Sequence, residues 1–115
     1  MCFVNLYGPY VDRERFWNNI FTLDGLMCDK MIFGGDLNFS LGLSEIWGVK
    51  ARMDNLTDFF TRLMDVHGLV DINPSVLLPT WTNRRVGVEN ICKRLDRLLI
   101  SNDFLDCDLQ IRQYV

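Results

Sequence analysis

Residues 30–38 read K-M-I-F-G-G-D-L-N. Met31, Ile32 and Phe33 form a short apolar run of strand-like composition, and Gly34-Gly35 stops it at a defined point. Two glycines at the end of a buried strand let another backbone or a ligand come close. The next outward-pointing side chains, Asp36 and Asn38, are two residues apart and are expected to share a face. A carboxylate and a carboxamide at a strand's C-terminal end suit a phosphate and a divalent cation. The same residues also suit an Asx-type turn that caps the strand locally.

The chain around this stretch reads as alternating strands and helices. Cys2 to Tyr7 favours a strand, closed by Gly8-Pro9. Asp12 is placed to cap a helix running to about Met27, with Phe16, Ile20, Leu23 and Met27 forming its apolar stripe. Strand, helix and strand in succession predict one sheet with the helix packed across it. Residues 39–53 carry no clear period and read as a long loop over the strand ends, with Trp47 folded into the loop's own cluster. Asp54 or Asn55 opens a second helix whose Leu56, Phe59, Phe60, Leu63 and Met64 recur at helical spacing, and Gly68 ends it. His67, the only histidine, falls in the last turn, where a protonated imidazole would favour the helix dipole. Its expected role is structural.

Further along, Leu69 to Ile72 reads as a short strand, T-W-T-N follows at 80–83, and Cys92 to Ile100 reads as one long strand. Asp96 stands inside that strand, and a carboxylate there needs a cation or a hydrogen-bond donor. Arg84 or Arg94 is a candidate ion-pair partner; so is an imidazole or a metal-site network. Leu109 to Val115 is a candidate final strand.

The net charge of −3 over 115 residues gives no global attraction to a polyanion. Locally, Arg84, Arg85, Lys93, Arg94 and Arg97 face only Glu89 and Asp96, so this segment is either a polyanion site or a solvated hairpin. Four cysteines without a C-x-x-C pair exclude a zinc ribbon, and their apolar settings predict reduced thiols in an intracellular protein. No apolar run approaches the roughly 20 residues of a membrane span, so no membrane partner is expected.

Taken in order, N-L-Y-G-P at 5–9, G-G-D-L-N at 34–38, T-W-T-N at 80–83 and R-L-D-R-L-L-I-S at 94–101 resemble the endonuclease/exonuclease/phosphatase superfamily of Mg²⁺-dependent phosphodiesterases. Within it the R-L-D-R reading is most similar to plant LINE-type retrotransposon endonuclease domains. The resemblance implies an α/β fold, part of a four-layer sandwich of two mainly antiparallel sheets flanked by helices. It implies endonuclease-like hydrolysis with Mg²⁺ as cofactor and DNA as partner, and an intracellular, nuclear place of action. Tyr7 then matches the tyrosine that contacts the scissile phosphate. Asp36 is matched to metal binding or water polarisation, Asn38 to holding the phosphate, and Asp96 to orienting a catalytic histidine. Trp81 and Arg84 match a strand and loop lining the nucleic-acid groove.

The family's metal-binding glutamate motif precedes its tyrosine motif, and its S-D-H motif follows the R-x-D strand. This chain begins at the tyrosine motif and stops soon after the R-x-D strand. The expectation is a single partial domain over 1–115, inactive or nearly so alone. The alternatives are a non-catalytic binding or structural relic of a retroelement, and a phosphatase-type member acting on a phospholipid or inositol phosphate.

Overall fold

A computed structural model describes residues 1–22 and 30–106. Among these residues seven strands form two sheets. The first has the order β1-β2-β7-β4, from β1 (Cys2–Asn5), β2 (Met31–Asp36), β7 (Asp96–Ser101) and β4 (Leu69–Asp71). The second has the order β3-β6-β5, from β3 (Ile46–Trp47), β6 (Cys92–Lys93) and β5 (Trp81–Thr82). With helices α1 (Arg13–Ile20) and α2 (Thr57–Val66), the class is α/β, two sheets flanked by helices, as expected.

β1 and β2 run parallel, with Cys2 opposite Met31 and Asn5 opposite Gly34, which is the strand-helix-strand unit read from the sequence. β2 pairs antiparallel with β7, which places Asp36 opposite Asp96. Both helices pack on one face of this sheet. Trp17 and Ile20 of α1 and Phe60 and Leu63 of α2 join Met31, Phe33, Leu69 and Leu99 in one core, which Leu37 and Phe39 complete. Phe39 stacks on Phe60 at 4.2 Å between ring centres, and Trp17 meets both rings edge-on. Full burial of each phenylalanine contributes roughly 1.5–3 kcal/mol, so Phe39 ties the residues just beyond β2 firmly to α2.

Several expectations are corrected. α1 ends at Ile20, and Asp12 makes no side-chain cap because its own backbone is left-handed (φ 51°). Leu23 and Met27, and the strand expected over 109–115, lie outside the described residues. The loop over 39–53 contains a 3-10 turn (Leu43–Glu45), and Trp47 pairs in β3 with Cys92 of β6. Asp54 precedes α2 without capping it, since the helix begins at Thr57. Gly68 does end α2 with a left-handed φ of 61°. His67 stacks on Phe21 at 3.8 Å, and desolvation lowers its pKa, which favours the neutral imidazole over the cation expected at a helix end. Cys2 is disulfide-bonded, against the expectation of reduced thiols, and Cys92 is free.

The long strand expected from Cys92 to Ile100 is two strands in different sheets. At the break, Arg94 N–H donates to the Glu45 carbonyl (3.0 Å), while the N–H groups of Leu95 and Asp96 both donate to Thr80 Oγ1 (3.0 Å each). These bonds replace the ladder where the chain crosses over. They turn Arg94 inward, where it is fully buried.

Candidate active site

The G-G-D-L-N stretch and the Tyr7 turn are fitted together by their glycines. Leu6 N–H donates to the Gly34 carbonyl (2.9 Å) and Gly8 N–H to the Asp36 carbonyl (2.7 Å). A Cβ at Gly8 would lie 2.1 Å from the Leu37 carbonyl oxygen, and one at Gly35, whose φ is +126°, would lie 2.2 Å from that of Leu6. No other residue permits this approach, so Gly8 and Gly35 fix Tyr7 beside the end of β2.

Asp36 and Asn38 do come together, although strand alternation is not what unites them. β2 ends at Asp36, and Asn38 takes a left-handed φ of 53°. Its N–H donates to Asp36 Oδ1 at 3.0 Å, so the Asx-type turn is present. The Asn38 side-chain amide donates to the Gly8 carbonyl. A left-handed non-glycine costs of order 1–3 kcal/mol, and these bonds offset it. Asn38 is 6% exposed and Ser40 1% exposed, yet Asn38 Oδ1 and Ser40 Oγ have no hydrogen-bond partner. Such orphans cost about 1–3 kcal/mol each when nothing meets them.

Asp96 lies across the ladder from Asp36, and opposed side chains of such a pair approach within about 5 Å. Partial burial raises the pKa of Asp36; the Asn38 N–H opposes this, and the Asp96 carboxylate adds to the rise. Tyr10 belongs to the same group. Its pKa is raised first by a hydrogen bond with Tyr7 and the charge of that neighbour, then by burial and the charge of Asp36. Tyr7 and Tyr10 are both exposed, at 66% and 65%. The residues Tyr7, Tyr10, Asp36 and Asp96 thus form a wet, oxygen-rich edge.

Beside that edge runs a cleft of about 370 Å³ lined by Asn38, Ser40, Tyr10, Trp81, Arg52 and Lys93, among others. Lys93 Nζ lies 5.9 Å from the centre of the Trp81 ring. Cations, an aromatic face and unpartnered buried oxygens in one cleft suit a nucleotide or another phosphate ester. Arg84 is not among the cleft residues. It is exposed at the tip of the β5–β6 hairpin with φ 59°, and its N–H donates to Thr82 Oγ1.

The basic segment divides in a way composition does not reveal. Arg94 and Arg97 are 0% and 2% exposed. Arg94 contacts Glu45 at 2.8 Å and Asp71 at 2.9 Å; Arg97 contacts the same two carboxylates at 2.6 and 2.9 Å. Arg97 also donates through Nε and Nη2 to the Phe39 carbonyl. Burial pushes the Glu45 pKa up, but Arg97, the Leu41 N–H and Arg94 outweigh it and hold it low. Burial likewise pushes Arg94 down, and Asp71 and Glu45 more than reverse it. These two arginines are therefore scaffold, and neither Arg84 nor Arg94 is paired with Asp96.

His67 cannot serve Asp96. Gly68 bonds Asn102 at the far end of β7, and five steps along a strand separate that end from Asp96 by about 17 Å. Among the described residues no group of three or more His, Cys, Asp or Glu side chains is placed to hold a metal. Sequence reasoning missed Arg13, Ser40, Arg52 and Asp54, which carry no motif and reach the site only through folding.

No family model matches the chain, and no curated protein does. Among solved structures it is similar to the endonuclease domain of TRAS1, a telomere-specific non-LTR retrotransposon, with 26% identity and a TM-score of 0.62. The match covers 87% of this chain and 43% of that one. The chain therefore has an endonuclease-like fold and spans less than half the length of that domain.

Proposed function

We propose that the chain is the central part of a Mg²⁺-dependent endonuclease domain of the LINE-type retrotransposon kind, acting on DNA when complete and nearly inactive alone. The observation that carries this reading is the convergence of Tyr7, Asp36, Asn38 and Asp96, distant in sequence, on one edge beside a cleft with two unpartnered buried oxygens. The likeness to a retrotransposon endonuclease domain supports it. A hard divalent cation takes oxygen donors and keeps several waters, often resting on one or two carboxylates. Asp36 and Asp96 would hold it, since a cation would offset both the partial burial and the Asp96 charge that raise the Asp36 pKa. When bound, Mg²⁺ supplies charge neutralisation at a phosphoryl oxygen. Tyr7 and Asn38 contribute donors for the non-bridging oxygens, and Trp81, Lys93 and Arg52 bind the adjoining nucleotide. A catalytic base is the missing part, because the one histidine lies about 17 Å along the sheet.

Supercoiled plasmid incubated with the purified chain and Mg²⁺ is expected to show no nicking above an Asp36→Ala control. Asp36-dependent nicking would overturn the inactivity. One observation favours a non-catalytic relic as second reading: Asp36 caps the Asn38 N–H, a folding role that needs no metal. For the endonuclease reading Mg²⁺ raises the melting temperature of the wild type and not of Asp36→Ala; for the relic it raises neither.

A further inference from the structure

Besides its bonds to Asp36, Gly8 and Arg97, the segment from Asn38 to Ser40 is held by groups outside every motif. Arg13, at the start of α1, forms a two-pronged pair with Asp54 at 2.7 and 2.8 Å, and its Nη1 also donates to the Asn38 carbonyl at 3.3 Å. Asp54 accepts the N–H of Leu56 at 2.9 Å and, with Arg13, holds its own pKa low against burial; the Ser40 N–H contributes to the same lowering. The Thr57 hydroxyl, with one proton to give, lies 2.7 Å from the Asp54 carbonyl and 3.3 Å from that of Ser40. The pair is largely withdrawn from water, with side chains 17% and 9% exposed, and Arg13 lies 5.6 Å from the centre of the Phe60 ring.

The Asn38 carbonyl and the backbone of Ser40 are thus met by residues at the helix starts and the Asn38 N–H by Asp36, while Asn38 Oδ1 and Ser40 Oγ stand without partners in the cleft. We infer that Arg13 and Asp54 are a positioning pair: they fix the left-handed Asn38 so that its side chain is presented to a phosphate ester. This rests on the phosphodiester reading of the site for its ligand, but not for its geometry. The planar guanidinium fork meets both carboxylate oxygens while also reaching a carbonyl, which an ammonium group cannot do.

The test uses the ¹⁵N-labelled chain as wild type, Arg13→Lys and Asp54→Asn, with Asn38→Ala to assign the Asn38 side-chain amide. In both folded variants that amide resonance is expected to move or broaden, while those of Asn83 and Asn90 in the hairpin stay. Affinity for the 5′-phosphorylated dinucleotide pTpT, with Mg²⁺, is expected to fall about tenfold in Arg13→Lys and no further when Asn38→Ala is added. An unmoved Asn38 amide, or losses that simply add, would overturn the inference. So would collapse of the whole spectrum in both variants, which would make the pair general support for the fold. A wild type that ignores pTpT while the Asn38 amide still responds to Arg13→Lys would uphold the positioning pair and reject the phosphodiester reading.

Discussion

Arg94, Asp96 and Arg97 are neighbours in sequence and opposites in environment. The two arginines point into the interior and share Glu45 and Asp71, with the Ile72 and Phe39 carbonyls taking further donors. Asp96 emerges on the other face of β7, opposite a second carboxylate and with no ion pair among the described residues. Charges in the first region are paired with opposite charges of the protein. In the second, like charges are brought together and buried oxygens are left without donors. Charges paired by the fold hold the fold; like charges set together beside unpartnered buried oxygens that line a cleft mark where an outside ligand completes the arrangement.

The largest effect that sharpens this contrast is expected from the paired side. Arg97→Met strands Glu45 and Asp71 beside one remaining guanidinium and removes the tie to Phe39. Breaking a buried pair in this way costs about 3–5 kcal/mol, a large share of the 5–15 kcal/mol typical of a domain. Urea unfolding should therefore show a greatly lowered midpoint. A loss comparable to an exposed charge deletion would break the distinction.

On the like-charged side the sign reverses. The folded Asp36 has a raised pKa, so the native state binds more protons than the unfolded one between the ordinary 3.8 and the folded value. Its ionisation therefore costs stability above that window, and the cost disappears as pH falls through it. Asp36→Asn, which can still accept from the Asn38 N–H, is expected to gain under about 1 kcal/mol at pH 7 and nothing below pH 3.8. Glu45 behaves oppositely. Its folded pKa is lowered from 4.5, so its contribution is complete above 4.5 and is lost as pH falls through the folded value. Denaturant midpoints of wild type and Asp36→Asn across acid pH check both signs; a destabilised Asp36→Asn at pH 7 would remove the repulsion from the account.

The same contrast explains what was legible in the sequence. Strands around Gly-Gly, the β1–β2 unit and the apolar stripe of α2 follow from local pattern, whereas a common site for Tyr7, Asp36, Asn38 and Asp96 was implied only by the family resemblance. The inward turn of Arg94 was not legible, because it depends on Thr80 Oγ1 and the Glu45 carbonyl capturing backbone groups from elsewhere in the chain. Arg13 and Asp54 were hidden for a similar reason: each looks like a helix-start residue, and only the fold brings them together as a pair. Asn38 shares the site with Asp36 through a left-handed turn, a geometry that alternation does not predict.

A titration of the ¹⁵N-labelled chain with Mg²⁺ and pTpT tests the central claim most directly. Shifts are expected at Asp36, Asn38, Ser40 and Asp96 and at the Trp81 indole alone, with the Arg94 and Arg97 Nε resonances unmoved. Shifts absent from those residues, or centred on the buried arginines, would contradict it.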